Sequence, residues 1–154
     1  MDAMFYYCQG LTSLDVSNFS TSNVTTFNNM FYYCNKLVDL DISNFDASKV
    51  INIGSMISNC ALLENLKYMQ NLGKGYTQKT NNHSNYEVRL YQSPKLTHDS
   101  LMDVINKLYD LNLTYDVANG GTLYTQKLNI GATNMAKLTE EEIAIATSKG
   151  WVVS

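Results

Sequence analysis

The chain has 154 residues, 45% hydrophobic and only 16% charged, with a net charge of −3 and a single arginine, Arg89. That length suits one domain with a real core. The lack of a basic stripe excludes a nucleic-acid footprint, and the lack of any long apolar run excludes a membrane-spanning helix.

The first element in chain order is a motif that returns. MFYYC stands at Met4–Cys8 and again at Met30–Cys34, each followed by LxxLDxSNF. Leu11, Leu14, Asp15, Ser17, Asn18 and Phe19 match Leu37, Leu40, Asp41, Ser43, Asn44 and Phe45 at one offset of 26 residues. A weaker third copy, MISNCALLENL, starts at Met56 and keeps Cys60, Leu63 and Leu66 in register. A unit of 26 residues cannot bury its own apolar face, so it must stack on its neighbours. Like residues then lie over like.

Within LxxLDx the two Leu and the following Val16 or Ile42 alternate with polar residues, which reads as a strand. Copy after copy, these strands are expected to pair in parallel, about 4.8 Å apart. Their outward face would carry Ser13, Asp15, Ser17, Asp39, Asp41 and Ser43, with Val38 among them. Crowding of Asp15, Asp39 and Asp41 is expected to raise one another's pKa. In MFYYC the Met, Phe and Cys are expected to turn inward. That leaves Tyr6, Tyr7, Tyr32 and Tyr33 facing solvent as columns. Cys8, Cys34 and Cys60 are expected to form a file of buried free thiols, because stacking points their Sγ atoms the same way and suits a disulfide poorly. No metal site is expected, since ligand-type spacings such as C-x-x-C are missing.

The opening residues, MDAMFYYC, are repeat and carry no signal-peptide pattern. A repeat end needs a cap. The first copy is therefore expected to expose an apolar edge around Met4, Phe5, Leu11 and Leu14, which upstream repeats of the same chain would cover. Any secretion signal would lie upstream too.

After Leu72 the period fails at Gly73-Lys74-Gly75, and Gln78–Asn85 reads as a loop. A longer repeat follows. Lys95-Leu96-Thr97 recurs as Lys137-Leu138-Thr139, each opening a helix. Thr97 caps one over about 98–110 that buries Leu101, Val104, Ile105 and Leu108. Thr139 and Glu142 form a capping box for another over about 139–148, with a staple of Leu138 on Ile143 and a stop at Gly150. Strands are expected at Tyr86–Tyr91 and Leu123–Ile130, one before each helix. Trp151 is expected to close the end as a lid on the core. The whole, 1–154, is read as one domain: repeats over 1–72, a loop over 73–85, and strand–helix repeats over 86–154.

MFxxC-x-x-L-x-x-LD-x-SNF with a following S-x-V (Ser22-Asn23-Val24, Ser48-Lys49-Val50) resembles the BspA-like leucine-rich repeats of bacterial surface proteins. The likeness is clear over residues 1–72. The tail, through GGTLYTQKLNIG and KLTEEEIAIATSKGW, resembles the C-terminal end of such arrays. It implies an α/β repeat: a leucine-rich-repeat-like right-handed solenoid with a short parallel sheet, irregular first coils and longer strand–helix coils at the C-terminus. It also implies an extracellular or cell-surface adhesion module that binds a host or bacterial surface protein or glycan. Similar repeats occur in phage-encoded proteins, so the alternative is a structural or receptor-binding module of a phage tail, virion or larger surface protein.

No catalytic residues and no cofactor are expected. His83 lies in the polar loop and His98 opens a helix beside Asp99, and neither adjoins a nucleophile in sequence.

Overall fold

The computed structural model describes residues 1–75, 87–121 and 125–154, with backbone alone at 115 and 116. The expected Gln78–Asn85 loop, His83, Tyr86, Leu123 and Tyr124 fall outside the described residues.

The three short copies lie side by side in the register of the sequence. Strand β1 (Asp39–Asp41) pairs in parallel with β2 (Asn65–Lys67), setting Asp39 on Asn65, Leu40 on Leu66 and Asp41 on Lys67. Leu40 and Leu66 point into the core and the residues flanking them are exposed. Burying one such Leu contributes about 2 kcal/mol.

The first copy departs from the expectation. Residues 11–16 form no strand. At the end of this stretch a side chain meets the backbone, since Asn44 Nδ2 donates to the carbonyls of Val16 and Ser17 at 3.2 and 3.0 Å. The parallel sheet on this side therefore has two strands, not three.

On the opposite side the MFYYC segments make a ladder of their own. The N–H groups of Ala3, Phe5 and Tyr7 donate to the carbonyls of Asn28, Met30 and Tyr32 at 2.9, 2.9 and 2.8 Å. Those of Asn29, Phe31 and Tyr33 donate to Gly54, Met56 and Ser58 at 2.8, 2.8 and 3.0 Å. Between these rungs the chain folds into turns, with positive φ at Ala3, Asn29 and Ser55 and again at Tyr7, Tyr33 and Asn59. The left-handed residues thus recur at the repeat offset, which is why the segments stack without becoming strands.

The tail lies on the third copy but exchanges the two sides. Strand β3 (Glu87–Arg89) runs into residues that cover the MISNC side: Ser93 Oγ donates to Ile57 O at 3.3 Å and Arg89 reaches Ser55 Oγ at 3.2 Å. Helix α1 (His98–Lys107) covers the β2 side. Its Ser100 Oγ accepts from Leu66 N–H at 2.9 Å, and its Asp103 carboxylate accepts from Tyr68 N–H. The edge of β2 is finished by side chains from a helix. The tail sheet is accordingly a separate one, not an extension of β1–β2.

That second sheet orders β3, β4 (Gln126–Asn129) and β5 (Trp151–Val153), all parallel. Between its strands come a 3-10 turn at Leu111–Leu113, α2 (Tyr115–Ala118), α3 (Gly131–Met135) and α4 (Glu140–Ser148). Helix α1 begins where Thr97 caps the Ser100 N–H and buries Leu101, Val104 and Ile105. It stops three residues short of the expected end because the chain turns out at Leu108, sending Tyr109 N–H to Leu72 O at 3.1 Å. Helix α4 has the full capping box of Thr139 and Glu142, and Gly150 takes φ 85° just past its end. Trp151 is buried, with its indole N–H on Tyr109 O at 3.0 Å. It closes the core between β4 and the turn after α1.

Candidate functional site

Two surfaces were expected to carry contacts, and the structure treats them differently. On the Asp/Ser side, Ser13, Asp15 and Ser17 are exposed, as are Asp39 and Asp41, while Ser43 is half-buried. Asp15, Ser17, Asp41 and Ser43 meet along an open groove of 220 Å³ floored by Leu14 and Val16. Their polar atoms are already engaged with each other. Asp15 Oδ1 accepts from Ser17 N–H at 2.9 Å, and Asp41 Oδ1 accepts from Ser43 N–H at 3.0 Å and Ser43 Oγ at 2.6 Å. Asp46 and Ser48 repeat the arrangement at 3.0 Å. The D-x-S of the motif is a turn in which the carboxylate closes on the backbone two residues on.

The third copy answers each of the second copy's two strand carboxylates with a donor. Asn65 Nδ2 donates to Asp39 Oδ1 at 2.6 Å, and Lys67 Nζ lies 3.2 Å from Asp41 Oδ2. At Asp15 and Asp41 the expected raising of the carboxylate pKa is reversed. Asp15 is held below its ordinary value by the Ser17 N–H, and Asp41 by the Ser43 hydroxyl, its backbone N–H and Lys67. Among the described residues no group of three or more His, Cys, Asp or Glu converges as a metal site would require.

A second groove, of 360 Å³, runs between β2 and the start of α1, with Lys67, Asp99 and Asp103 on its walls. Close by, His98 Nε2 lies 2.8 Å from Glu142 Oε1, tying the first turn of α1 to that of α4. The Glu142 and Asp99 carboxylates raise the His98 pKa.

The MFYYC side is built of rings. Tyr6 stacks on Tyr32 with centroids 5.3 Å apart and planes 11° from parallel, and Tyr7 stacks on Tyr33 at 4.6 Å and 6°. Beneath them Phe5 stacks on Phe31 at 5.5 Å and 2°. Tyr6 and Tyr7 are each 48% exposed, and Tyr32 and Tyr33 are half-buried. Met4, on the edge that the first copy was expected to expose, is 48% exposed, whereas its equivalent Met30 is fully buried between copies. The columns stop at the third copy, where Ser58 and Asn59 stand in for the two tyrosines.

Tyr7 and Tyr33 hold φ of 62° and 64°, a conformation that costs a residue with a large side chain about 1 kcal/mol or more. Asn59 holds the same φ, 62°, and Asn tolerates it far better. Loss of water around the Tyr7 hydroxyl raises its pKa, helped by repulsion from Tyr33, Tyr32 and Tyr6.

Sequence spacing also missed a feature of the interior. Cys34 Sγ–H donates to Phe5 O at 3.2 Å and Cys60 Sγ–H to Phe31 O at 3.3 Å. Ser93 then donates to Ile57 O, and Asn134 Nδ2 to Leu90 O at 3.2 Å. The thiol file thus continues as a hydroxyl and an amide. The surviving signal was C-x-x-L becoming Ser93-x-x-Leu96, with Leu96 buried like Leu37 and Leu63. Burial raises the thiol of Cys34 to about 11 and that of Cys60 to about 12. Both are protonated donors and poor nucleophiles.

A family model described as "Mycoplasma protein of unknown function, DUF285" matches residues 1–93, a stretch that ends on Ser93. Comparison with curated proteins and with solved structures gives no match.

Proposed function

The chain belongs to the DUF285 family, and from that premise we propose that it is a non-catalytic binding module acting through its double tyrosine column. The architecture we infer for it is a leucine-rich-repeat-like right-handed solenoid of the BspA-like type, displayed at a cell surface. The partner is a surface protein or glycan. The observation that carries this reading is the backbone at Tyr7 and Tyr33. Both positions force a left-handed conformation on a bulky residue, while the third copy meets the same need with Asn59. Ring stacking returns about 0.5–1.5 kcal/mol per pair, so stability alone gives little reason to prefer Tyr there. Rigid, amphipathic tyrosines are characteristic of contact surfaces. Backbone strain of this kind gathers at functional positions. The Asp/Ser side offers less, because its carboxylates are spent on turns and on Asn65 and Lys67.

The test is the double variant Tyr7→Asn/Tyr33→Asn, which keeps the backbone shape that Asn59 already uses. Labelled protein is titrated onto cultured animal cells and onto purified bacterial walls. Saturable binding by the native chain, reduced at least about tenfold in a variant that still unfolds cooperatively, supports the reading. Equal binding by both proteins removes the tyrosines from it, and no saturable binding to either surface favours a spacer role in a larger particle.

A further inference from the structure

The rungs that join the copies follow one rule. The second copy gives N–H groups from Asn29, Phe31 and Tyr33 to the carbonyls of Gly54, Met56 and Ser58 in the third, just as the first copy gives to the second. In the tail Ser93 stands where a cysteine would, because its Oγ donates to Ile57 O as Cys60 Sγ donates to Phe31 O. Carried one level on, the rule pairs the N–H groups of Ser55, Ile57 and Asn59 with the carbonyls of Glu87, Arg89 and Tyr91. Among the described residues none of these three bonds is made.

Side chains fasten this seam instead. Arg89 Nη1 donates to Ser55 Oγ at 3.2 Å, Ser93 Oγ to Ile57 O at 3.3 Å and Asn59 Nδ2 to Gln92 Oε1 at 3.2 Å. They leave the middle rung unmade, and that is the one in the interior. Ile57 is buried, so its N–H lies away from bulk water, where an unpaired donor is costly. The Leu90 N–H donates to Asn129 O in β4, so the Arg89 carbonyl faces away from β4.

A cavity of 10 Å³ lies at this point, with Ile57, Arg89 and Tyr68 among its walls. That is about the least space that admits one water. Tyr68 is buried, and its hydroxyl has no hydrogen-bond partner among the described residues. The other walls, Met56, Val88 and Leu90 among them, offer only apolar side chains. A donor, an acceptor and a hydroxyl thus meet around a space of the right size. We propose that this cavity binds one ordered water, which replaces the middle rung: it accepts from Ile57 N–H, donates to the Arg89 carbonyl and has the Tyr68 hydroxyl as its third partner. The tail is then held to the repeats by side chains and water, whereas the repeats hold each other by backbone.

The experiment is NMR on the nitrogen-15-labelled full chain. Dipolar cross-peaks between water and amide hydrogens are recorded with the sign that separates them from proton exchange. The Ile57 amide is expected to show one, and that of Phe31, whose rung is direct, to show none. The peak is expected to persist in Tyr68→Phe, because two backbone partners remain. A through-bond coupling from Ile57 nitrogen to the Arg89 carbonyl carbon would overturn the proposal, since the rung would then be direct. An Ile57 amide with no water cross-peak, or with an exchange peak in its place, overturns it as well. Loss of the peak in Tyr68→Phe overturns it too, by making the tyrosine hydroxyl the source of the signal.

Discussion

Cys60 gives its thiol hydrogen to the carbonyl of Phe31, 3.3 Å away in the preceding copy, from a site where both are fully buried. The place calls for a small donor, and Ser93 fills the equivalent place one level on. Cys60→Ser is therefore expected to fold and to lose no more than about 1 kcal/mol. Cys60→Val keeps the apolar character, adds volume and deletes the donor, and is expected to cost about 1–3 kcal/mol. Urea unfolding of both variants checks the order. A valine variant as stable as the serine one would mean that the thiol is only a filler.

The two-strand sheet owes its outer face to unlike partners. Lys67→Asp would set a carboxylate opposite Asp41, where the amine now lies 3.2 Å away. Both groups are largely exposed, so the native attraction is small, but directly opposed like charges destabilise a strand pair by about 0.5–1 kcal/mol. The loss should shrink in high salt. A loss unchanged by salt would place its cause in packing.

His98 and Glu142 join the first turns of two helices. The His98 pKa is raised, first by the Glu142 hydrogen bond, and the Glu142 pKa is lowered, first by the Thr139 N–H and then by His98. The histidine's contribution is thus fully present below its unfolded value, about 6.5, and is lost as pH rises through the folded value. The glutamate's contribution is present above its unfolded value, about 4.3, and is lost as pH falls through the folded one. Stability attributable to the pair should be greatest between those limits. Thermal unfolding of the native chain and of His98→Ala should differ more near about pH 5.5 than near about pH 8. Equal differences at the two pH values would remove the charged pair from the account.

Gly131 sits at φ 73°, and a Cβ there would stand 2.7 Å from Tyr91 Cβ. Gly131→Ala is expected to destabilise by about 2–4 kcal/mol, from the backbone and the collision together. In a Tyr91→Gly background, which removes the colliding Cβ, part of that cost should be recovered. No recovery would assign the whole cost to the backbone angle.

Some of this was legible in the residues. The offset of the first two copies, the caps at Thr97 and Thr139 and the lid at Trp151 each follow from side chains whose local chemistry has one good use. The missing strand at Leu11–Val16 was not legible, because its residues alternate as well as those of β1. Nor does the alternation show that Asn44 Nδ2 donates to the Val16 and Ser17 carbonyls at the end of this stretch. The exchange of strand and turn sides in the tail was hidden by the insertion after Leu72, which changes the offset and lets Ser93 stand for a cysteine. Helix α3 has no capping side chain, so nothing in the sequence announced it. The left-handed tyrosines were invisible for the opposite reason: Tyr is a residue that ordinarily avoids that conformation. On the Asp/Ser side the motif itself held the answer, since D-x-S closes a turn before it can hold a ligand.

The central claim is that neighbouring copies are joined rung by rung on the MFYYC side. Scalar coupling across hydrogen bonds, measured by NMR between amide nitrogens and carbonyl carbons, reads those rungs one at a time. Couplings from Phe5 to Met30, Tyr7 to Tyr32, Phe31 to Met56 and Tyr33 to Ser58 are expected, matching bonds of 2.9, 2.8, 2.8 and 3.0 Å. Couplings at any other offset, or amides at Tyr7 and Tyr33 that exchange as freely as those of an unfolded chain, would contradict it.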